Sequence, residues 1–261
     1  MLGKLLKLFI RKLLKLFGVY NSKYLTNFII YLKNIFRGKN WNEFYEDLMD
    51  ESVKNDKDIY GKPEDMQFHL EYMKTKGLQP ESRFLDYGCG SGVSGKNFIE
   101  YLNEDNYTGV DISSEAIKVA CEMVNDNTVL KEKNPDFKYI MNADMKPLKG
   151  YEFDYIFANS VFTHMPLEDI NYMLKQLKTY IHKGSIYYAT FCRTEGKSKL
   201  VKFRDWRHSV DTIKKVAKEN GYECKVHSDW GQKIKSLTLD KVTSVKFPER
   251  RDIMVSFQLQ K

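Results

Sequence analysis

Acidic side chains are missing from residues 1–42, although Lys4, Lys7, Arg11, Lys12, Lys15, Lys23, Lys33, Arg37 and Lys39 all fall there. The net charge of the whole 261-residue chain is +7, so these nine cations leave the remainder at −2. The body of the protein therefore has no basic excess to hold a polyanion. Residues 159–166 also lack an Asn/Asp-Pro-Pro-aromatic signature, and both observations disfavour a nucleic-acid substrate. Cys89, Cys121, Cys192 and Cys224 are scattered, with no Cys-x-x-Cys and no histidine at zinc-ligand spacing. That argues against a disulfide framework and a metal site, and for a reduced, cytoplasmic setting. No apolar run approaches the ~20 residues of a spanning helix. No small-residue cleavage site follows the N-terminal apolar positions, so a secretory signal is not expected.

The most informative stretch is Phe84-Leu85-Asp86-Tyr87-Gly88-Cys89-Gly90-Ser91-Gly92. Phe84 and Leu85 read as the end of a buried parallel strand, and the three glycines let the next loop turn tightly and bring backbone close to a ligand. A helical pattern resumes from Val93 to Leu102, completing the first half of a nucleotide-binding βαβ unit. A nicotinamide or flavin site needs Gly-x-Gly-x-x-Gly around a pyrophosphate, whereas Val93 occupies the third-glycine position here. Asp86 would repel a pyrophosphate but attract the ammonium of an amino acid. These residues favour S-adenosylmethionine over a dinucleotide.

Further strand ends follow in order. Tyr107 to Asp111 reads as a second strand whose acid can bridge two ribose hydroxyls. Phe137 to Met145 gives a third, with Asp144 placed to accept the adenine amine. Phe153 to Ala158 is a buried fourth strand, followed by the polar loop Asn159 to Pro166. As an ordered set, these motifs resemble the class I S-adenosylmethionine-dependent methyltransferases of the broad small-molecule type, over roughly Pro63 to Lys261. The resemblance implies an α/β, Rossmann-like, seven-stranded mostly parallel sheet flanked by helices, with an antiparallel pair at its end. It also implies a cofactor set of Asp86, Gly88, Cys89, Gly90, Asp111, Ile112, Asp144, Met145 and Asn159. His164, just past the fourth strand, is the candidate catalytic base, because it titrates near neutrality. Methyl transfer otherwise asks chiefly for positioning and desolvation.

Three regions are expected: a basic amphipathic helical extension at 1–40, helices covering the cofactor at 41–80, and the methyltransferase domain at 81–261. In the extension, Lys-Leu-Leu-Lys-Leu-Phe occurs at 4–9 and again at 12–17. At about 100° per residue, lysines and Arg11 gather on one side and Leu2, Leu5, Leu6, Phe9, Ile10, Leu13, Leu16 and Phe17 on the other. Residues 1–18 are thus expected to lie on an anionic membrane surface as a peripheral anchor. A second apolar helix follows at 24–36, an acidic one at 41–58, and a third from Pro63 to Lys76. Phe44, Tyr45, Phe68 and Tyr72 are candidates to line an acceptor pocket. A helix is predicted from Leu167 to His182 with Gly184 as its stop, and a fifth strand over Ser185 to Phe191. A polar loop is predicted over Arg193 to His208 and a helix capped by Ser209. Tyr222 to Ser228 and Ile253 to Gln260 form the closing pair, with a basic loop at 232–251 between them. The sequence thus points to a methyltransferase acting on a small or lipid-linked acceptor at a membrane surface. The rival reading is a non-catalytic, membrane-tethered scaffold on the same fold.

Overall fold

The structure, a computed structural model, describes residues 22–55, 63–230 and 252–260. The expected membrane helix at 1–18 and the basic loop at 232–251 lie outside the described residues. Three helices come first, α1 (Ser22–Phe36), α2 (Trp41–Asn55) and α3 (Pro63–Thr75). The central part is β1 (Phe84–Tyr87), α4 (Lys96–Tyr101), β2 (Tyr107–Asp111), α5 (Ser114–Asn125), α6 (Thr128–Glu132), β3 (Asp136–Tyr139), β4 (Phe153–Ala158), α7 (Leu167–Leu177) and β5 (Ile181–Cys192). A short hairpin of β6 (Lys199–Val201) and β7 (Asp205–Arg207), then α8 (Val210–Glu219), β8 (Tyr222–His227) and β9 (Asp252–Leu259), complete the described chain.

The sheet has seven strands in the order β3-β2-β1-β4-β5-β9-β8. The first five run parallel, and β9 pairs antiparallel with both β5 and β8. Because the order reverses between β1 and β4, the loops after β1 and β4 part there and leave a crevice at the carboxyl edge. Both faces are covered, which is why β1 is buried at all four positions and reads as a continuous apolar run apart from one acid. On one face α7 and α8 bury Ile170, Met173, Leu174, Ile213 and Val216 against β4, β5 and β9. On the other, Phe68, Tyr72, Leu78, Phe84, Phe98 and Tyr107 pack together. Ser113 and Ser209 cap α5 and α8 by accepting from the amides of Ala116 and Thr212 at 3.1 Å, the pattern expected of a serine just before a helix.

Three expectations are corrected. Gly184 does not stop a helix: α7 ends at Leu177 and β5 starts at Ile181. The register of β4 against β5 slips between Phe153 and Tyr155. The slack is taken up around Gly184, where Ser185 Oγ donates to the Phe153 carbonyl at 2.6 Å. Here the glycine, set among polar residues at the start of the strand, marks an irregularity in the ladder rather than a helix cap. The predicted loop at 193–208 contains the hairpin, which the sequence conceals because its turn is Lys202-Phe203, both at positive φ (58° and 55°), where Asn-Gly is the usual signal. The third strand is also shorter than expected, ending at Tyr139, and Met141–Ala143 is a single 3-10 turn.

Gly95 precedes α4 with ordinary helical dihedrals, yet a Cβ there would run into the hydroxyl of buried Tyr107. Gly95→Ala is expected to lower the unfolding free energy by about 1–3 kcal/mol, the usual cost of overpacking. In a Tyr107→Phe background, chemical denaturation should show a smaller loss for the same substitution, because the clash is with the hydroxyl.

Candidate functional site

The crevice opens into a cavity of about 290 Å³ at the carboxyl ends of the strands. Its floor is the turn Tyr87-Gly88-Cys89-Gly90, with Ser94 beyond it. Gly88 sits at φ 78°, and a Cβ there would come within 2.5 Å of Val161 Cγ2, so the loops after β1 and β4 approach this closely only because the residue is glycine. Asp111, Ile112, Ile140 and Ala143 from the ends of β2 and β3 form one side. Asn159, Ser160, Val161, His164 and Met165 form the other, with Arg204 from the hairpin. Asn42, Tyr45 and Met49 of α2 supply the roof.

Asp111 is the acid of this cavity. Its Oδ2 accepts the Gly90 amide and its Oδ1 the Ser113 amide, both at 2.8 Å. Burial raises its pKa to about 6, even though those backbone donors pull the other way. A half-buried carboxylate that lines the cavity is chemically suited to accept from ribose hydroxyls, and the apolar Ile112, Ile140 and Ala143 suit a flat base. The donor set therefore fits an adenosyl group.

The roof is fastened by side chains. Ser113 Oγ donates to Asp50 Oδ1 at 2.6 Å, and the Tyr139 hydroxyl donates to Glu46 Oε1 at 2.5 Å. Trp41 Nε1 donates to the carbonyl of His164 at 2.7 Å, and Tyr45 stacks on the His164 ring at a centroid distance of 4.9 Å. His164 Nδ1 lies 3.2 Å from Asp205 Oδ1, within ion-pair reach although off-axis for a hydrogen bond. Burial lowers the His164 pKa, partly countered by Asp205. A neutral imidazole is thus favoured at physiological pH. Below it, His208 Nε2 approaches the carbonyls of Phe162 (3.2 Å) and Met165 (3.0 Å), and its Nδ1 approaches Ser198 Oγ (2.9 Å). Carbonyls only accept, so Nε2 bears the proton and Nδ1 accepts from the serine. This ring pins the 162–165 turn to the hairpin.

Of the residues singled out from sequence, Gly88, Cys89, Gly90, Asp111, Ile112, Asn159 and His164 line the cavity. Three do not. Asp86 lies beneath the turn, its Oδ2 accepting the Tyr107 hydroxyl at 2.8 Å. Strand alternation puts it on the same face as Phe84 and away from the cavity. Asp144 pairs with Lys146 at 2.8 Å, and Met145 is buried in the core. Among the aromatic candidates Tyr45 reaches the cavity, whereas Phe44 packs with Ile30 and Leu48, and Phe68 and Tyr72 pack with Trp230 on the opposite face. Asn42, Met49 and Asp205 carried no local signal, since each acts across elements distant in sequence. For Cys89, burial raises the thiol pKa well above its ordinary value, so it is a packed side chain rather than a reactive thiolate.

The family described as "Methyltransferase domain" matches residues 78–242. Among curated proteins, an uncharacterized protein of Rickettsia prowazekii is 29% identical over 122 residues, covering 45% of this chain and 47% of that protein. The mitochondrial ubiquinone biosynthesis O-methyltransferase of Saccharomyces cerevisiae is 25% identical over 160 residues, covering 60% and 45%. The chain thus spans about half the length of these curated relatives. The fold is similar to that of magnesium protoporphyrin IX methyltransferase from Synechocystis with bound SAM (TM-score 0.60, 15% identity, 85% of this chain and 98% of that one). An S-adenosylmethionine-dependent methyltransferase from Clostridium acetobutylicum is also similar (TM-score 0.52, 12% identity, 85% and 100%).

Burial raises the Asp86 carboxyl from 3.8 to about 7, opposed by the Tyr107 hydrogen bond. A folded state that holds this proton more tightly than the unfolded chain is stabilised below the unfolded pKa, and that stabilisation is lost as pH rises towards the folded pKa. Asn cannot ionise. The melting-temperature difference between ligand-free Asp86→Asn and parent protein should therefore be flat below about pH 4, grow in favour of the variant up to about pH 7, and then level off. A pH-independent difference in scanning calorimetry would contradict this.

Proposed function

The chain belongs to the methyltransferase-domain family, and on that premise we propose that it transfers the methyl group of S-adenosylmethionine to a small or lipid-linked acceptor at a membrane surface. The observation that carries the reading is the cavity-facing Asp111 carboxylate, clamped by the Gly90 and Ser113 amides beside a glycine turn. In this reading Asp111 holds the ribose hydroxyls. Ile112, Ile140 and Ala143 enclose the base, and the Gly88–Gly90 backbone and Asn159 lie along the amino-acid part. Asp86 acts from beneath as a positioning residue, tying the turn to Tyr107.

Bound there, S-adenosylmethionine supplies a methyl group activated by its sulfonium, and the product is S-adenosylhomocysteine. The chain's own contribution is to aim a nucleophile at that methyl and to exclude water. His164 serves an acceptor that arrives protonated. With the proton on Nδ1, the nitrogen 3.2 Å from Asp205, Nε2 keeps a lone pair for the acceptor's proton. Burial keeps the ring neutral, and Tyr45 fixes its plane. The acceptor then occupies the side of the cavity bounded by Tyr45, His164 and Arg204. Residues 1–18, basic on one helical side and apolar on the other, hold the enzyme at an anionic surface.

Calorimetric titration with S-adenosylhomocysteine is expected to show saturable binding by the parent protein. Asp111→Asn should weaken it at least tenfold, as for loss of a charged hydrogen-bond acceptor worth about 1.5–3 kcal/mol. A folded protein that ignores the compound would overturn the cofactor assignment and favour the scaffold. Separately, the parent chain should co-sediment with vesicles of phosphatidylcholine and phosphatidylglycerol, and removal of residues 1–18 should release most of it. Equal sedimentation of both chains would remove those residues as the anchor.

A further inference from the structure

Phe36 is 86% exposed and Ile35 52% exposed at the end of α1, and Phe203 is 39% exposed at the tip of the hairpin. They belong to one surface. The Phe203 ring lies 4.7 Å from Phe28 and 5.6 Å from Tyr31. Ile35 follows Tyr31 by one helical turn on the same side of α1. Phe203 is held there at some cost, since Lys202 and Phe203 both adopt positive φ, unusual for any residue with a side chain and rarest for bulky ones. Their turn is closed by the Arg204 amide donating to the Val201 carbonyl at 3.3 Å. The strained turn presents an aromatic ring and a lysine side by side.

Cations predominate around these rings, although Lys39 is paired with Asp47 at 2.7 Å. Residues 27–42 contain Lys33, Arg37 and Lys39 and no acid, and the turn 201–204 adds Lys202 and Arg204. The carboxylate that follows, Asp205, faces His164 and Arg204. The patch also borders the cavity mouth. Arg204, next to Phe203, lines the cavity. Asn40, four residues beyond Phe36, reaches Asn142 at 3.5 Å, and Asn42 is part of the roof. Exposed aromatic and aliphatic tips within a cationic rim are the chemistry of a surface that enters the headgroup layer of an anionic bilayer.

We infer that the end of α1 and the tip of the β6–β7 hairpin form a second, folded membrane contact, which sets the cavity mouth against the bilayer so that the acceptor enters from the lipid phase. The inference rests on the membrane-surface reading and adds an orientation to it, supplied by residues separate from 1–18. Continuity with that basic, apolar segment, which immediately precedes α1 in the chain, and charge complementarity both favour lipid as the occupant of the patch.

The test uses the full chain and vesicles of phosphatidylcholine and phosphatidylglycerol. The double substitution Ile35→Glu with Phe36→Glu is expected to lower the vesicle partition constant roughly tenfold or more, while S-adenosylhomocysteine binding, which reports an intact fold, stays unchanged. Val129→Glu, at an apolar position on α6 that is 54% exposed, should leave partitioning near the parent value. A Phe36→Trp variant should gain fluorescence that brominated phosphatidylcholine quenches, and Val129→Trp should not. Binding by the chain with an unquenched Phe36→Trp, or with partitioning insensitive to the double substitution, would overturn the inference and leave residues 1–18 as the sole anchor. Failure of the parent chain to bind the vesicles would overturn the membrane reading as well. If residues 1–18 cover the patch themselves, their removal would raise acrylamide quenching of Phe36→Trp in the absence of vesicles, and the inference would fall.

Discussion

The turn after β1 has to bend tightly while staying open to a ligand, and two carboxylates, one buried and one half-buried, make that possible. Asp111 takes the Gly90 amide from one side of the turn, and Asp86 anchors the strand beneath it through Tyr107. Neither acid is comfortable: burial lifts both above the usual carboxylate range. The strain is concentrated where a ligand with hydroxyl donors can relieve part of it, and the rest of the domain is arranged around that point. Strand order opens the crevice there, Gly88 lets the β4 loop approach, and α5 starts there so that its cap and the Asp111 clamp share Ser113.

The parallel half of the sheet was legible in the sequence because β1, β2 and β4 each carry a local signal: a largely apolar run, then an acid, a glycine turn or a polar loop. Asp111, Gly88 and Gly90 were singled out from such signals, His164 from the polar loop after the fourth strand, and all four line the cavity. Asp86 was found as a residue but not as a direction, since a motif gives identity and spacing while the pleat decides which way the side chain points. Asp144 and Met145 were misplaced by a third strand that ends early and gives way to a tight turn. The hairpin was invisible because Lys202 and Phe203 stand where glycine would have announced it. The roof residues Asn42 and Met49, and Asp205 beside His164, acquire their places only through tertiary packing, which no window of sequence displays.

The two sides of the cavity differ in how they are built. The side holding Asp111 is made from the ends of adjacent parallel strands, whose spacing is fixed by the sheet. The other side is assembled from a helix, a 3-10 turn and a hairpin that touch through aromatic rings and a buried histidine. The family match covers residues 78–242, so it takes in the first side entirely but leaves α2 outside. The match also takes in the 162–164 turn and the hairpin, so α2 is the part of the cavity wall that lies outside it.

Helix α2 roofs the cavity, and it also supplies the indole that holds the His164 backbone and the ring that stacks on the imidazole. A cover that carries both contacts cannot lift without breaking them. Any displacement of α2 would cost His164 both its stacking partner and its tether, so the placement of that ring depends on the helix staying against the sheet edge. Roof and histidine turn are thus one mechanical unit: a change that loosens the helix from the sheet edge is felt at the imidazole as well as at the cavity's cover.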